Sequence, residues 1–311
     1  MSSRPLSIGT RGSPLARAQA AEVCRLLAQA EPAFGEPGAL DTVIIRTSGD
    51  AIQDRTLADI GGKGLFTKEL DEAMLAGRID LAAHSVKDLP TWLPQGIVLG
   101  AVLARADPRD VLIAPCRHAL ADLPPGAVVG TASLRRQAQV LALRPDVTVV
   151  PLRGNVGTRL GKIEQGHVDA TLLALAGLQR LGLTDVGGVV LSTETMLPAV
   201  GQGAIGVTCR EDDVDARSLL DTLHDRACGF EIAAERAMLA ILDGSCRTPI
   251  GGLARLDGDR LRLRGLVARP DGSRVIAGER SMVTPSAAEA AGRDLGLELK
   301  ARAGSGFFDW S

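Results

Sequence analysis

Tyrosine is absent from this 311-residue chain, and the remaining aromatics amount to five Phe and two Trp. Proteins that bind nucleic acid by base stacking need such rings together with a basic surplus, whereas the formal net charge here is −2. Nucleic acid is therefore not an expected partner. Cysteine is scarce as well: Cys24, Cys116, Cys209, Cys228 and Cys246 are widely spaced, odd in number and without a C-x-x-C pair. That argues against a disulfide framework or a zinc ribbon and predicts a reducing, cytoplasmic location. The four histidines, His84, His118, His167 and His224, lack metal-ligand spacing, so no metal is expected. No run approaches the roughly eighteen apolar residues of a membrane span. Met1 to Ala20 holds no continuous apolar segment of the kind a secretory signal needs, and the reading is a soluble protein without a membrane partner.

What is present is an ordinary globular composition, 45% hydrophobic and 23% charged. The length suggests about two domains, and a chain of this size buries roughly three quarters of its unfolded surface without staples.

Strand-like and helical patterns alternate through the first two thirds. Leu6–Gly9 reads as a strand, and Pro14–Leu27 as a helix with Ser13 as N-cap and Pro14 at its first position. Thr42–Ile45 is a second strand, Leu65–Ala76 a helix and Ile79–Ala83 a third strand. Such alternation predicts an α/β layer with largely parallel strands. The pattern then recurs. Val129-Gly130-Thr131-Ala132-Ser133 echoes Ile8-Gly9-Thr10-Arg11-Gly12-Ser13, and Gly166-His167-Val168-Asp169 echoes Gly77-Arg78-Ile79-Asp80. Two similar lobes are expected, with a break near Ala104–Asp110. Helical patterns at Ala216–His224 and Glu231–Leu242 precede alternating runs at Leu261–Val267 and Arg274–Val283, joined by the turn Arg269-Pro270-Asp271-Gly272, and a last helix at Ala287–Ala301. These form a small α+β domain. The Gly- and Asp-rich stretch Thr47–Lys63 is a candidate lid.

A strand running into a capped helix N-terminus favours anions, and one is expected after Thr10 and another after Thr131. Arg11, Arg135, Arg136, Arg153 and Arg159 cluster around them in sequence, with Lys63, Lys87 and Arg180 as additions. If these cations face a cleft, they suit a ligand with many carboxylates; otherwise they are surface ion pairs. Phosphate motifs fail: Gly201-Gln202-Gly203-Ala204-Ile205-Gly206 fits G-x-G-x-x-G, but no helical pattern opens there. Asp88, at a strand end ahead of Pro90, is either a turn-former or a carboxylate placed to stabilise a cation or move a proton. Cys246, beside Arg247, is either a small buried residue or a thiolate.

Several of these segments together resemble the porphobilinogen deaminase family: Gly9-Thr10-Arg11-Gly12-Ser13-Pro14-Leu15-Ala16, Gly61-Gly62-Lys63-Gly64-Leu65-Phe66, His84-Ser85-Val86-Lys87-Asp88-Leu89-Pro90, Gly130-Thr131-Ala132-Ser133-Leu134-Arg135-Arg136, Leu152-Arg153-Gly154-Asn155, Leu197-Pro198-Ala199-Val200-Gly201-Gln202-Gly203 and Gly244-Ser245-Cys246-Arg247-Thr248-Pro249. The motifs stand in family order and span nearly the whole chain. Asp59, where Lys or Glu is usual, and Ala132, where Ser is common, depart from the pattern.

The resemblance implies an α/β fold: two similar doubly wound lobes like type II periplasmic binding proteins, plus a small α+β C-terminal domain. Residues 1–104 with 201–221 would form lobe one, 105–200 lobe two and 222–311 the small domain. It implies a monomeric transferase that joins four porphobilinogen molecules head to tail with loss of ammonia to give hydroxymethylbilane. The implied cofactor is dipyrromethane, held by a thioether to Cys246. Asp88, Lys87 and Gln202 would be catalytic. Ser85, Lys87, Asp88, Thr131, Ser133, Arg135, Arg136, Arg153, Gly154 and Asn155 would bind the cofactor. Arg11, Ser13, Lys63, Phe66, Arg153, Arg159 and Arg180 would bind substrate. The rivals are a two-lobed solute-binding protein and the effector-binding module of a regulator.

Overall fold

The computed structural model describes residues 5–51, 64, 66–115, 119–242, 248–282 and 285–307. Lys63, Cys246 and most of the expected lid lie outside them. The described residues within 1–52, 62–106 and 204–229 form one compact unit, and those within 107–203 and 230–311 a second.

In the first unit five strands are ordered β2-β1-β3-β10-β4: β1 Leu6–Arg11, β2 Leu40–Ile45, β3 Leu81–Ser85, β4 Ile97–Val102 and β10 Ile205–Arg210. β1 runs parallel to β2 and β3, whereas β10 is antiparallel to both β3 and β4. Helix α1 (Pro14–Ala30) and α6 (Val214–Asp221) cover one face through Ala20, Val23, Leu27 and Leu220. Helix α2 (Lys68–Leu75) covers the other through Leu70 and Met74. The sheet is thus doubly wound, with β1, β3 and β10 largely buried and the edge strand β2 largely open.

The second unit repeats this plan with the order β7-β6-β8-β5-β9: β5 Asp110–Ile113, β6 Val128–Gly130, β7 Thr148–Val150, β8 Ala170–Ala174 and β9 Gly188–Val190. β6 is parallel to β7 and β8, and β5 is antiparallel to β8 and β9. Helix α3 (Leu134–Leu143) packs on one face through Val140. Helices α4 (Val156–Glu164) and α5 (Leu175–Arg180) pack on the other through Ile163 and Leu178. Both sheets are more mixed than the alternating pattern predicts. In each, the fourth position is filled by a strand next to a chain crossing, and that strand runs against its neighbours.

The sequence echoes have physical causes. Asp80 accepts from the Ser7 backbone N–H at 2.9 Å, and Asp169 accepts from the Val128 N–H at 2.7 Å. Each carboxylate thereby secures the start of the second strand in its sheet's order, β1 in one and β6 in the other. Gly9 and Gly130 lie where a Cβ would run into Ile79 and Leu152 respectively, so the strand preceding each Thr has no room for a side chain.

The second unit also holds an antiparallel sheet, β11 (Ile250–Asp257), β12 (Arg260–Ala268) and β13 (Val275–Met282). Helix α7 (Arg226–Ile241) and helix α8 (Ala288–Ala303) bury Met238, Leu295 and Leu299 against Leu261, Leu263 and Val267. The turn Arg269–Gly272 joins β12 to β13 as expected, with the Gly272 N–H bonded to the Arg269 carbonyl at 2.9 Å. A shared cluster of Ala138, Leu197, Leu253, Leu266 and Ala268 ties this sheet to α3.

Candidate active site

In the first unit the parallel strands β1 and β3 end side by side, the place where open α/β sheets present ligand sites. β1 delivers Arg11. The chain then turns at Ser13, whose hydroxyl accepts from the Ala16 N–H at 3.3 Å and caps α1. β3 ends at Ser85 and passes into a single 3-10 turn, Val86–Asp88, which presents Lys87 and Asp88. The Arg11 guanidinium stands 3.8 Å from the Asp88 carboxylate and 4.1 Å from the centre of the Phe66 ring. Arg11, Ser13, Phe66, Ser85 and Asp88 therefore line one cleft, with a cavity volume of about 50 Å³.

Gln19 and His84 also line the cleft and were not expected there. Gln19, buried on α1, donates to the Ser85 hydroxyl at 2.8 Å and fixes it. His84 is buried and lies 3.0 Å from the Thr208 hydroxyl. Burial first, and the Arg11 charge second, push its pKa down to about 4. His84 is therefore neutral near pH 7 and lends the cleft a hydrogen-bonding group without charge. Its place in the His84-Ser85 dipeptide was visible in the sequence, but an inward direction at the end of a buried strand was not.

In the second unit, β6 leads to Thr131 and Ser133 and so to α3. Ser133 caps α3, accepting from the Arg136 N–H at 3.4 Å, and its own N–H bonds the Thr131 hydroxyl at 3.1 Å. Asn155 caps α4 in the same way, through the Thr158 N–H at 2.9 Å. Gly154 has φ 115°, a backbone region that favours glycine. Its carbonyl receives the Arg159 Nε at 2.9 Å.

The arginines divide into two kinds. Arg135 and Arg136 are both 5% exposed and do not present open forks. They converge on Asp110, at 2.8 Å and 2.7 Å. Burial alone would raise the Asp110 carboxyl, but the charges of Arg135 and Arg136 hold it well below the ordinary range. Arg153 and Arg159 differ. Arg153 has a buried Nη1 with no hydrogen-bond partner. Burial, then Arg136 and Arg153, pull the Arg159 pKa down to about 10. Positive charge is crowded here beyond what Asp110 balances. A buried, unpartnered cationic donor in that setting fits a ligand carboxylate.

Arg180 donates to the Gly203 carbonyl at 3.0 Å, and Gln202 is buried with its amide bonded to the Pro108 carbonyl at 2.7 Å. Both thus hold the chain where it leaves the second lobe. Asp110 was missed because Asp107-Pro108-Arg109-Asp110 reads as a breaker between lobes. Among the described residues no group of three or more His, Cys, Asp or Glu could hold a metal, and no helix is long and apolar enough to cross a membrane.

Comparison with known proteins shows the family. Residues 6–218 match the family described as porphobilinogen deaminase, dipyromethane cofactor binding domain, and residues 230–301 match porphobilinogen deaminase, C-terminal domain. A porphobilinogen deaminase of Nitrobacter winogradskyi is 57% identical over 97% of this chain and 95% of its own. That of Paracoccus denitrificans is 53% identical over 99% and 97%, and the chloroplastic protein of Oryza sativa 52% over 98% and 86%. Among solved structures, a putative periplasmic sulfonate-binding protein of Methylobacillus flagellatus aligns at 16% identity and TM-score 0.38, covering 76% of this chain and 66% of its own. At 52–57% identity over almost its full length, the chain belongs to the porphobilinogen deaminase family.

Proposed function

We propose that the two sites divide the work of the family's reaction, in which a transferase joins porphobilinogen units head to tail with loss of ammonia to give hydroxymethylbilane. At each joining a carbon–carbon bond forms between the aminomethyl carbon of one pyrrole and the free ring carbon of the next. The carbon–nitrogen bond breaks, ammonia leaves, and the attacked ring loses a proton. Positive charge therefore appears on the substrate pyrrole, and Asp88 is the carboxylate placed to stabilise it. Phe66 offers an aromatic face to that ring, while Arg11 and Ser13 take a carboxylate arm. Lys87, next to Asp88 on the same turn, and Gln202 would assist.

The donor set of the second lobe fits dipyrromethane, whose acetate and propionate arms are anionic. Arg153 and Arg159 would take these arms, with Thr131, Ser133 and the backbone of Gly154 and Asn155 beside them. Arg135 and Arg136 would contribute the donors that Asp110 leaves over, and Ser85, Lys87 and Asp88 are further candidate cofactor-binding residues. Bound through a thioether to Cys246, the cofactor supplies the free pyrrole carbon on which joining begins. Lys63 and Arg180 would add substrate contacts. We place the enzyme in the cytoplasm as a monomer, with its second unit divided into lobe two and a small C-terminal domain.

The observation that carries this reading is the Arg153 Nη1, buried and lacking a partner amid like charges. Intact mass tests it. The purified chain should carry the added mass of two linked pyrroles, and a Cys246→Ser variant should not. A well-folded chain that stays unmodified after incubation with porphobilinogen would refute the reading.

A further inference from the structure

Asp110 has no place in the chemistry described above, yet it is fully buried and collects two charged partners from one helix and a neutral amide from a second segment. Its Oδ2 accepts from Arg135 Nη1 at 2.8 Å. Its Oδ1 accepts from Arg136 Nη2 at 2.7 Å, from Arg136 Nε at 3.2 Å and from Gln202 Nε2 at 3.0 Å. Consecutive residues on a helix point about 100° apart, so Arg135 and Arg136 would not ordinarily meet. One carboxylate at the head of β5 makes them converge.

The remaining donors of both arginines are partly directed elsewhere. Arg135 Nη1 also reaches the Leu197 carbonyl at 2.8 Å, and Arg136 Nη1 reaches the Leu172 carbonyl at 2.8 Å. Arg135 Nε stays buried with no hydrogen-bond partner. A guanidinium has five N–H donors in a rigid plane, so fixing two or three of them fixes where the others point. Without the carboxylate, two adjacent buried cations would repel each other, with Arg159 and Arg153 close by adding to the repulsion.

We propose that Asp110 is the positioning residue of the arginine-rich lobe: it does not touch the ligand, and it sets the planes in which Arg135 and Arg136 offer their spare N–H groups to the cofactor's carboxylates. Its amide contact with Gln202 extends that control to the segment leaving the lobe. This inference rests on the function proposed above.

The test uses full-length chains made in a host that cannot synthesise porphobilinogen, then supplied with it. The rate of loading is followed by intact mass as a function of porphobilinogen concentration, and urea unfolding is recorded on the same samples. In Asp110→Asn, loading is expected to slow by about ten-fold or more and to need more porphobilinogen for half-maximal rate, while a cooperative urea transition persists. Loading at the wild-type rate would overturn the proposal. If Asp110→Asn does not fold, Asp110→Asn with Arg135→Gln removes the excess buried charge, and its reference is Arg135→Gln alone. Slower loading of the pair than of the single variant supports positioning of Arg136 by Asp110. Equal rates would show that Asp110 only neutralises charge and would overturn it. A wild-type chain that never loads refutes the proposed function instead.

Discussion

Arg11 lies between Phe66 and Asp88, 4.1 Å from the ring centre and 3.8 Å from the carboxylate. Its guanidinium therefore stacks on the face and meets the anion that a substrate pyrrole would use. A carboxylate-bearing substrate offers Arg11 a better partner in exchange, since a bidentate carboxylate pair is stronger than a 3.8 Å contact at a half-open site.

Asp88→Asn keeps the shape of the side chain and removes its charge. The variant is expected to fold and to turn over about 10²–10³-fold more slowly, because stabilisation of developing charge is lost. Steady-state release of hydroxymethylbilane measures it, and wild-type turnover would remove Asp88 from its assigned role.

Arg153→Met separates stability from loading. The wild-type Nη1 is buried without a partner, so replacing it should raise the stability of the unloaded chain, on the order of 1 kcal/mol. The same change should slow cofactor loading. Urea midpoints of unloaded chains and intact-mass time courses check the two halves, and an unchanged loading rate would contradict the carboxylate assignment.

The depressed pKa of His84 predicts a pH dependence of fixed sign. The unfolded chain binds this proton at the ordinary value of 6.5 and the folded chain only near 4, so protons favour unfolding between the two. The stabilising contribution is present above 6.5 and is lost as pH falls toward 4, an upper bound of about 3 kcal/mol. His84→Gln retains a donor for Thr208 and abolishes the titration. Its urea midpoint should fall less than that of the wild type between about pH 7 and about pH 5. Equal slopes would show that His84 is not the acid-sensitive group.

Much of the architecture was legible because it depends on local chemistry. Ser13 and Ser133 announced the two anion-favouring helix starts, and the recurrence of Asp80 as Asp169 announced the second lobe. Strand direction at β5 and β10 was not legible, because it depends on where the chain crosses and returns. Not legible was the engagement of Arg135 and Arg136 by Asp110, which is 25 positions away from Arg135 in the sequence. Spacing shows that cations cluster; it does not show which of them a buried carboxylate has already engaged.

The placement of β10 has a consequence for synthesis on the ribosome. All five strands of the second lobe's sheet fall within Asp110–Val190, so that sheet is complete before β10 has been made. The first lobe's sheet begins at Leu6 but needs Ile205–Arg210 between β3 and β4. Until then β3 and β4 lack the strand that joins them, and an unpaired strand edge is a template for association with other chains. Of the two lobes, the one that starts first is finished second, and a nascent chain stalled before Ile205 carries the Val86–Asp88 turn on an open sheet.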